Sequence, residues 1–177
     1  WCEVYRRIVK WELELADAGS VMTDMLRVQK EEANTDFAKY IKKNYEGWMG
    51  GGGAPLMSHR IMPDFVFPFL NNGEKVFMIV IDNFRYDQWR MLASEIGDMF
   101  DIDERLYCSI LPTATMYARN AIFSGLMPEQ ISRMFPELWV DEDSEEGKNV
   151  NESPLIETLL ERYRRKETFS YHKIEDS

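Results

Sequence analysis

A carboxylate at the end of an apolar run and a hydroxyl at the start of a helix are the two groups in this sequence best placed to do chemistry together. Residues 76–81 read VFMIVI, and Asp82 follows at once in the stretch DNFRYD of residues 82–87. Residues 112–125 read PTATMYARNAIFSG, with Thr115 standing just before a helical pattern. In an open parallel sheet ligands collect outside the carboxyl ends of strands, which is where Asp82 falls. A Thr hydroxyl is a poor nucleophile at neutral pH, and coordination to zinc is one way to stabilise its alkoxide; Asp82 is placed to share such a metal. The exposed amides and positive dipole end of a helix start also suit a phosphate. The pairing therefore predicts hydrolysis of a phosphate ester. Each residue also has a purely structural reading, Asp82 as a turn or capping residue and Thr115 as an N-cap.

The elements that would position these groups alternate. Val76 to Ile81 form a continuous β-rich apolar run, as expected of a central parallel strand covered on both faces. Residues 86–96 then fit a helix ended by Gly97, and Ile102, Glu104, Leu106 and Cys108 alternate like a second strand. Residues 116–124 are a helix stopped by Gly125. Ser153 and Pro154 open another over 155–166, and 168–174 is compatible with a third strand. Three alternations of strand and helix predict an α/β, doubly wound fold, preceded by a small helical bundle.

That bundle occupies the first part of the chain. Val4, Tyr5, Ile8, Trp11 and Leu15 recur at helical spacing over 1–16, and Gly19 ends the pattern. Ser20 is placed to cap a longer helix carrying Val21, Met25, Phe37, Tyr40, Ile41 and Tyr45, with Asn34 and Thr35 as a point of bending or division. Two amphipathic helices need a third partner, and residues 56–70, made irregular by Pro63 and Pro68, are the candidate. Gly50 to Gly53 read as a flexible joint rather than a phosphate cradle, since no Lys-Ser or Lys-Thr follows them. Trp1 lies inside an apolar pattern with no cap before it, which predicts that the polypeptide continues upstream.

Composition narrows the function classes. An apolar fraction of 45% suits a packed core, and no run approaches the ~20 apolar residues of a membrane span, so a soluble cytoplasmic protein is expected. A net charge of -10 argues against duplex DNA as a partner while leaving small phosphate compounds open. Much of that charge sits in residues 141–146, read as a solvated acidic loop. Cys2 and Cys108 lack the spacing of a disulfide framework or zinc finger, and His59 and His172 have no partner at ligand spacing.

The stretch at 82–87 resembles the first metal-ligand motif of the alkaline phosphatase superfamily, and Pro112 to Thr115 resemble its nucleophile turn. The distance from Thr115 to Gly125, Pro128 and Glu129 is similar to that in its nucleotide pyrophosphatase/phosphodiesterase branch. A closer resemblance is to PglZ-type domains, in particular those of type IX secretion response regulators. It implies a helical linker over 1–72 and the first part of a PglZ domain over 73–177. Asp82 would be a zinc ligand and Thr115 a nucleophile that also contacts zinc. The branch has an Asn three residues after the nucleophile where this chain has Ala118, so Arg119 and Asn120 are substitute substrate-binding candidates, with a solvated or structural role as the alternative. Arg85 and Asp87 read equally well as a local ion pair.

The resemblance further implies a two-zinc site completed by later ligands, so these 177 residues are expected to be catalytically incomplete. It implies a nucleotide or short oligonucleotide phosphodiester as substrate, a receiver domain in the same polypeptide, and contact with a sensor kinase or sigma factor. Its rival is a non-catalytic signalling or homodimerisation module in which Asp82 and Thr115 are vestigial.

Overall fold

The computed structural model describes residues 1–17, 19–50, 52–140 and 149–174. The chain divides into two compact units, Trp1–Pro55 with Val80–Tyr107, and Leu56–Ile79 with Cys108–Ser177.

In the first unit the helical spacing of the opening residues produces α1, Cys2–Glu14, with Val9 buried. α2, Ser20–Met49, is one helix of 30 residues. The bend expected at Asn34 and Thr35 does not divide it. Thr35 Oγ1 donates to the Glu31 carbonyl at 2.9 Å, so its hydroxyl is satisfied inside the helix instead of competing with it. Aromatic rings tie the two helices, with Trp1 at 5.2 Å from Phe37 and 5.8 Å from Tyr40. α4, Tyr86–Ile96, packs on α1 and begins with the Arg85 N–H donating to Gln88 Oε1 at 2.9 Å. The helix packed on α1 in this unit, besides α2, is thus α4 and not the 56–70 segment.

That segment belongs to the second unit. It forms a 3₁₀ turn, Ser58–Arg60, a π turn, Met62–Val66, and α3, Phe67–Asn71. Pro63 and Pro68 remove backbone donors and keep it from being one helix. Its inward residues Met57, Met62 and Phe67 join a core built by α5, Thr115–Ser124, α6, Pro128–Met134, and α7, Glu152–Arg162. Ile110, Ile131, Leu155 and Leu159 are fully buried there. Gly125 ends α5 in the left-handed region at φ 64°, where a side chain is strained.

The segments read as strands run extended without forming a ladder among the described residues, where the β pairing is one isolated parallel bridge between Met57 and Cys108. The alternation survives in burial from residue 103 onward, whereas Ile102 is exposed. Glu104, Leu106 and Cys108 turn inward while Asp103, Arg105 and Tyr107 face out. Phe77 and Ile79 are 92% and 82% exposed, so the run expected to be covered on both faces is not covered by the described residues. An apolar pattern fixes which side of a strand is greasy, but a sheet also needs a neighbour in register, and here the described residues supply none. The doubly wound sheet is therefore not formed by the described residues. Gly51 and the acidic run 141–146 lie outside them.

Candidate functional site

Thr115 is the first residue of α5, half-buried, directly after Ala114. The N-cap is Ala114, which has no side-chain cap, so Thr115 does not serve as the N-cap. Among the described residues no hydrogen bond engages its hydroxyl. Tyr117 and Ala118 N–H both donate to the Ala114 carbonyl at 3.0 Å, which fixes the first turn behind it. Leu111 and Pro112 upstream are joined by a cis peptide bond.

Asp82 lies in the other unit, in an exposed turn before α4. Its Oδ1 accepts the Asn83 N–H at 2.9 Å, and Asn83 takes a left-handed conformation at φ 55°, a region Asn tolerates well. Arg85 and Asp87 form a two-pronged ion pair, Nε to Oδ1 at 2.9 Å and Nη2 to Oδ2 at 2.7 Å. The Arg85 hydrogen bond and charge hold the Asp87 carboxyl below the ordinary carboxylate range. These two residues thus take the ion-pair reading.

Arg119 and Asn120 share α5 with Thr115 but are not laid out as an open phosphate clamp. The Arg119 guanidinium grips Glu152, with Nη2 at 2.7 Å from Oε2 and Nε at 2.7 Å from Oε1. Glu152 is 1% exposed, and the Tyr171 hydroxyl donates to the same Oε2. Burial, then the bond to Glu152, pushes the Tyr171 phenol up to about 12. Asn120 is 3% exposed, and its Oδ1 has no hydrogen-bond partner among the described residues. Asn120 is buried, whereas Arg119 is half-buried with its guanidinium turned to Glu152 of α7.

Glu152 carries no local sign of this role, because its partner lies 33 residues away and it looks like an ordinary acid in a first helical turn. The same holds for Glu104 in the first unit. Its Oε1 accepts Tyr86 Oη at 2.6 Å and Arg6 Nε at 3.2 Å, and its Oε2 accepts Trp89 Nε1 at 2.9 Å. Burial raises this carboxyl, but the donors from Tyr86, Trp89 and Arg6 outweigh it and hold the group below the usual range.

Asp82 and Thr115 offer oxygen donors of the kind zinc accepts. No group of three or more His, Cys, Asp or Glu side chains suited to a metal converges among the described residues. No helix among them is long and apolar enough to cross a membrane.

Residues 61–176 match the model of the BREX system PglZ alkaline phosphatase-like domain. The chain belongs to that PglZ family. Residues 1–49 match the PorX response regulator linker domain, so a response-regulator linker precedes the phosphatase-like domain. A comparison with curated proteins returns no match.

Proposed function

We propose that the chain is part of a response-regulator output module whose complete protein is a zinc-dependent phosphodiesterase, acting on nucleotides or short oligonucleotides and regulating type IX secretion. The observation that carries the reading is the position of Thr115 within the alkaline phosphatase-like match: first in α5, half-buried, its hydroxyl engaged by no described residue. In this reading the Thr115 oxygen attacks phosphorus in line. The P–O bond to the departing alcohol breaks and the Thr115 hydroxyl proton ends on that alcohol; water then cleaves the phosphothreonine diester, returning a proton to Thr115 and releasing a phosphate monoester. Bound zinc would supply charge neutralisation at the phosphate oxygens and a lowered hydroxyl pKa, with Asp82 as one ligand and Thr115 as another. Arg119 and Asn120 act behind the nucleophile.

The alkaline phosphatase-like doubly wound sheet belongs to the same proposal, with residues 76–81, 102–108 and 168–174 as strands. Its support is the alternating burial along 103–108. A helical linker over residues 1–72 and a PglZ part over 73–177 belong to the same proposal; the family matches cover 1–49 and 61–176. The linker match supports a receiver domain in the same polypeptide, through which a sensor kinase would act, and a cytoplasmic location follows from that role.

The test is zinc content and bis-p-nitrophenyl phosphate hydrolysis by the complete protein, with and without Thr115→Val. Hydrolysis that needs both zinc and Thr115 is expected; hydrolysis untouched by the substitution removes the nucleophile assignment. The linker match equally favours a signalling module that captures a partner such as a sigma factor or a second copy. Partner binding that persists under chelator, in a protein with no hydrolytic activity, would select that reading.

A further inference from the structure

We propose that Glu152 is a positioning residue for Thr115, acting through Arg119 to hold α5 in one orientation against α7. The inference rests on the assignment of Thr115 as nucleophile. Much of the α5–α7 interface is apolar, with Leu155 and Leu159 fully buried, and apolar contact is non-directional. Packing sets the spacing of the helices, and the Arg162 guanidinium ties α7 to the Ser124 carbonyl at the carboxyl end of α5; the contact nearer Thr115 is the Arg119–Glu152 pair. The Arg119–Glu152 pair is directional: Nη2 donates to Oε2 at 2.7 Å, and Nε stands 2.7 Å from Oε1 as an ion contact.

Two further features give that pair its leverage. Arg119 follows Thr115 by four residues, so both stand on one side of α5 about 6 Å apart along the axis, and a rotation of the guanidinium is a rotation of the Thr115 hydroxyl. Glu152 is 1% exposed and is further pinned by the Tyr171 hydroxyl, so water does not compete for it. A buried ion pair of this kind contributes little net stability compared with apolar residues of similar volume, and geometry is what it supplies instead.

The experiment uses the complete zinc-loaded protein and bis-p-nitrophenyl phosphate. It compares Thr115→Val, Glu152→Gln, Tyr171→Phe and the paired change Arg119→Met with Glu152→Leu, which leaves no unpaired charge. Steady-state kinetics, zinc content and melting are read for each. Misplacing a nucleophile by about 1 Å costs roughly 100-fold, so Glu152→Gln and the paired change should lower kcat about 10- to 100-fold, with KM within about twofold. Zinc content should be unchanged, and the paired variant should melt close to the parent. Tyr171→Phe should lower kcat a few-fold, and it decides together with the paired variant if Glu152→Gln does not fold. A paired variant as active as the parent, beside an inactive Thr115→Val, overturns the positioning role and leaves the nucleophile standing. So does a raised KM at constant kcat, which would make Arg119 a substrate ligand. Hydrolysis surviving Thr115→Val, or a parent protein without hydrolysis, removes the nucleophile reading and this inference with it.

Discussion

Gly125→Ala should destabilise the second unit far more than an ordinary glycine substitution, and the structure gives the size. Gly125 sits at φ 64°, where a Cβ costs about 1–2 kcal/mol. A Cβ there would lie 2.7 Å from Leu159 Cδ1, and Leu159 is fully buried, so overpacking adds about 1–3 kcal/mol. The stiffer unfolded chain returns about 0.4–1 kcal/mol, which leaves a net loss of roughly 2–4 kcal/mol. Gly73 provides the internal control. It has φ 75° with nothing within 4 Å of its Cβ position, so Gly73→Ala should show the backbone cost alone, roughly 1 kcal/mol. The assay is urea unfolding of both variants beside the parent, followed by circular dichroism. Equal losses at the two sites, or a loss below about 1 kcal/mol at Gly125, would refute the claim that Leu159 closes the space at the end of α5.

Ser58 is fully buried and its hydroxyl oxygen accepts the Ile110 N–H at 3.2 Å, so Ser58→Ala should cost about 1–3 kcal/mol by stranding that donor, measured in the same unfolding assay. Glu104 has a depressed folded pKa, so its contribution is present above its unfolded pKa and is lost as pH falls through the folded value; Glu104→Gln should flatten the acid side of the stability profile read by melting. Tyr171 is raised to about 12, so its stabilising contribution is complete below its unfolded pKa near 10 and disappears as pH rises through about 12. A shift of that size is at most about 2.7 kcal/mol, reduced to roughly 1 by the water that reaches the ring. Tyrosinate absorbance of the parent minus Tyr171→Phe should show the late titration, and Glu152→Gln should bring it back toward 10.

What the sequence revealed follows the range of each interaction. α4 spans Tyr86–Ile96, as its spacing predicts, because helix periodicity and the Gly97 stop are local. Gly125 ends α5 as expected for the same reason. The side of each extended segment that turns inward was readable over 103–108, yet the pairing was not, because register depends on a second segment that the pattern of the first cannot name. Thr115 was placed within one residue of a helix start. Arg119 and Asn120 were recognised as notable polar residues on that helix, but the partner of Arg119, Glu152, lies on α7, which follows residues 141–148 in the chain. Glu104 was read only as one step of an alternating segment and Glu152 not at all, because partners 98 and 33 residues away leave no trace in the neighbouring letters.

The second unit is assembled from two stretches separated by residues 80–107. Met57, Met62 and Phe67 are made early, but Leu155 and Leu159, which complete their core, follow about ninety residues later. At ribosomal speeds of about 5–20 residues per second, the apolar face of the first stretch is exposed for roughly 5–20 s during synthesis. Its closure also carries the loop-entropy cost of a non-local contact, which makes it slow relative to the helices themselves. A nascent chain stalled before α7 would therefore present that greasy face to chaperones and to other nascent chains, and the timing of translation past residue 160 becomes a determinant of how much protein reaches the folded state.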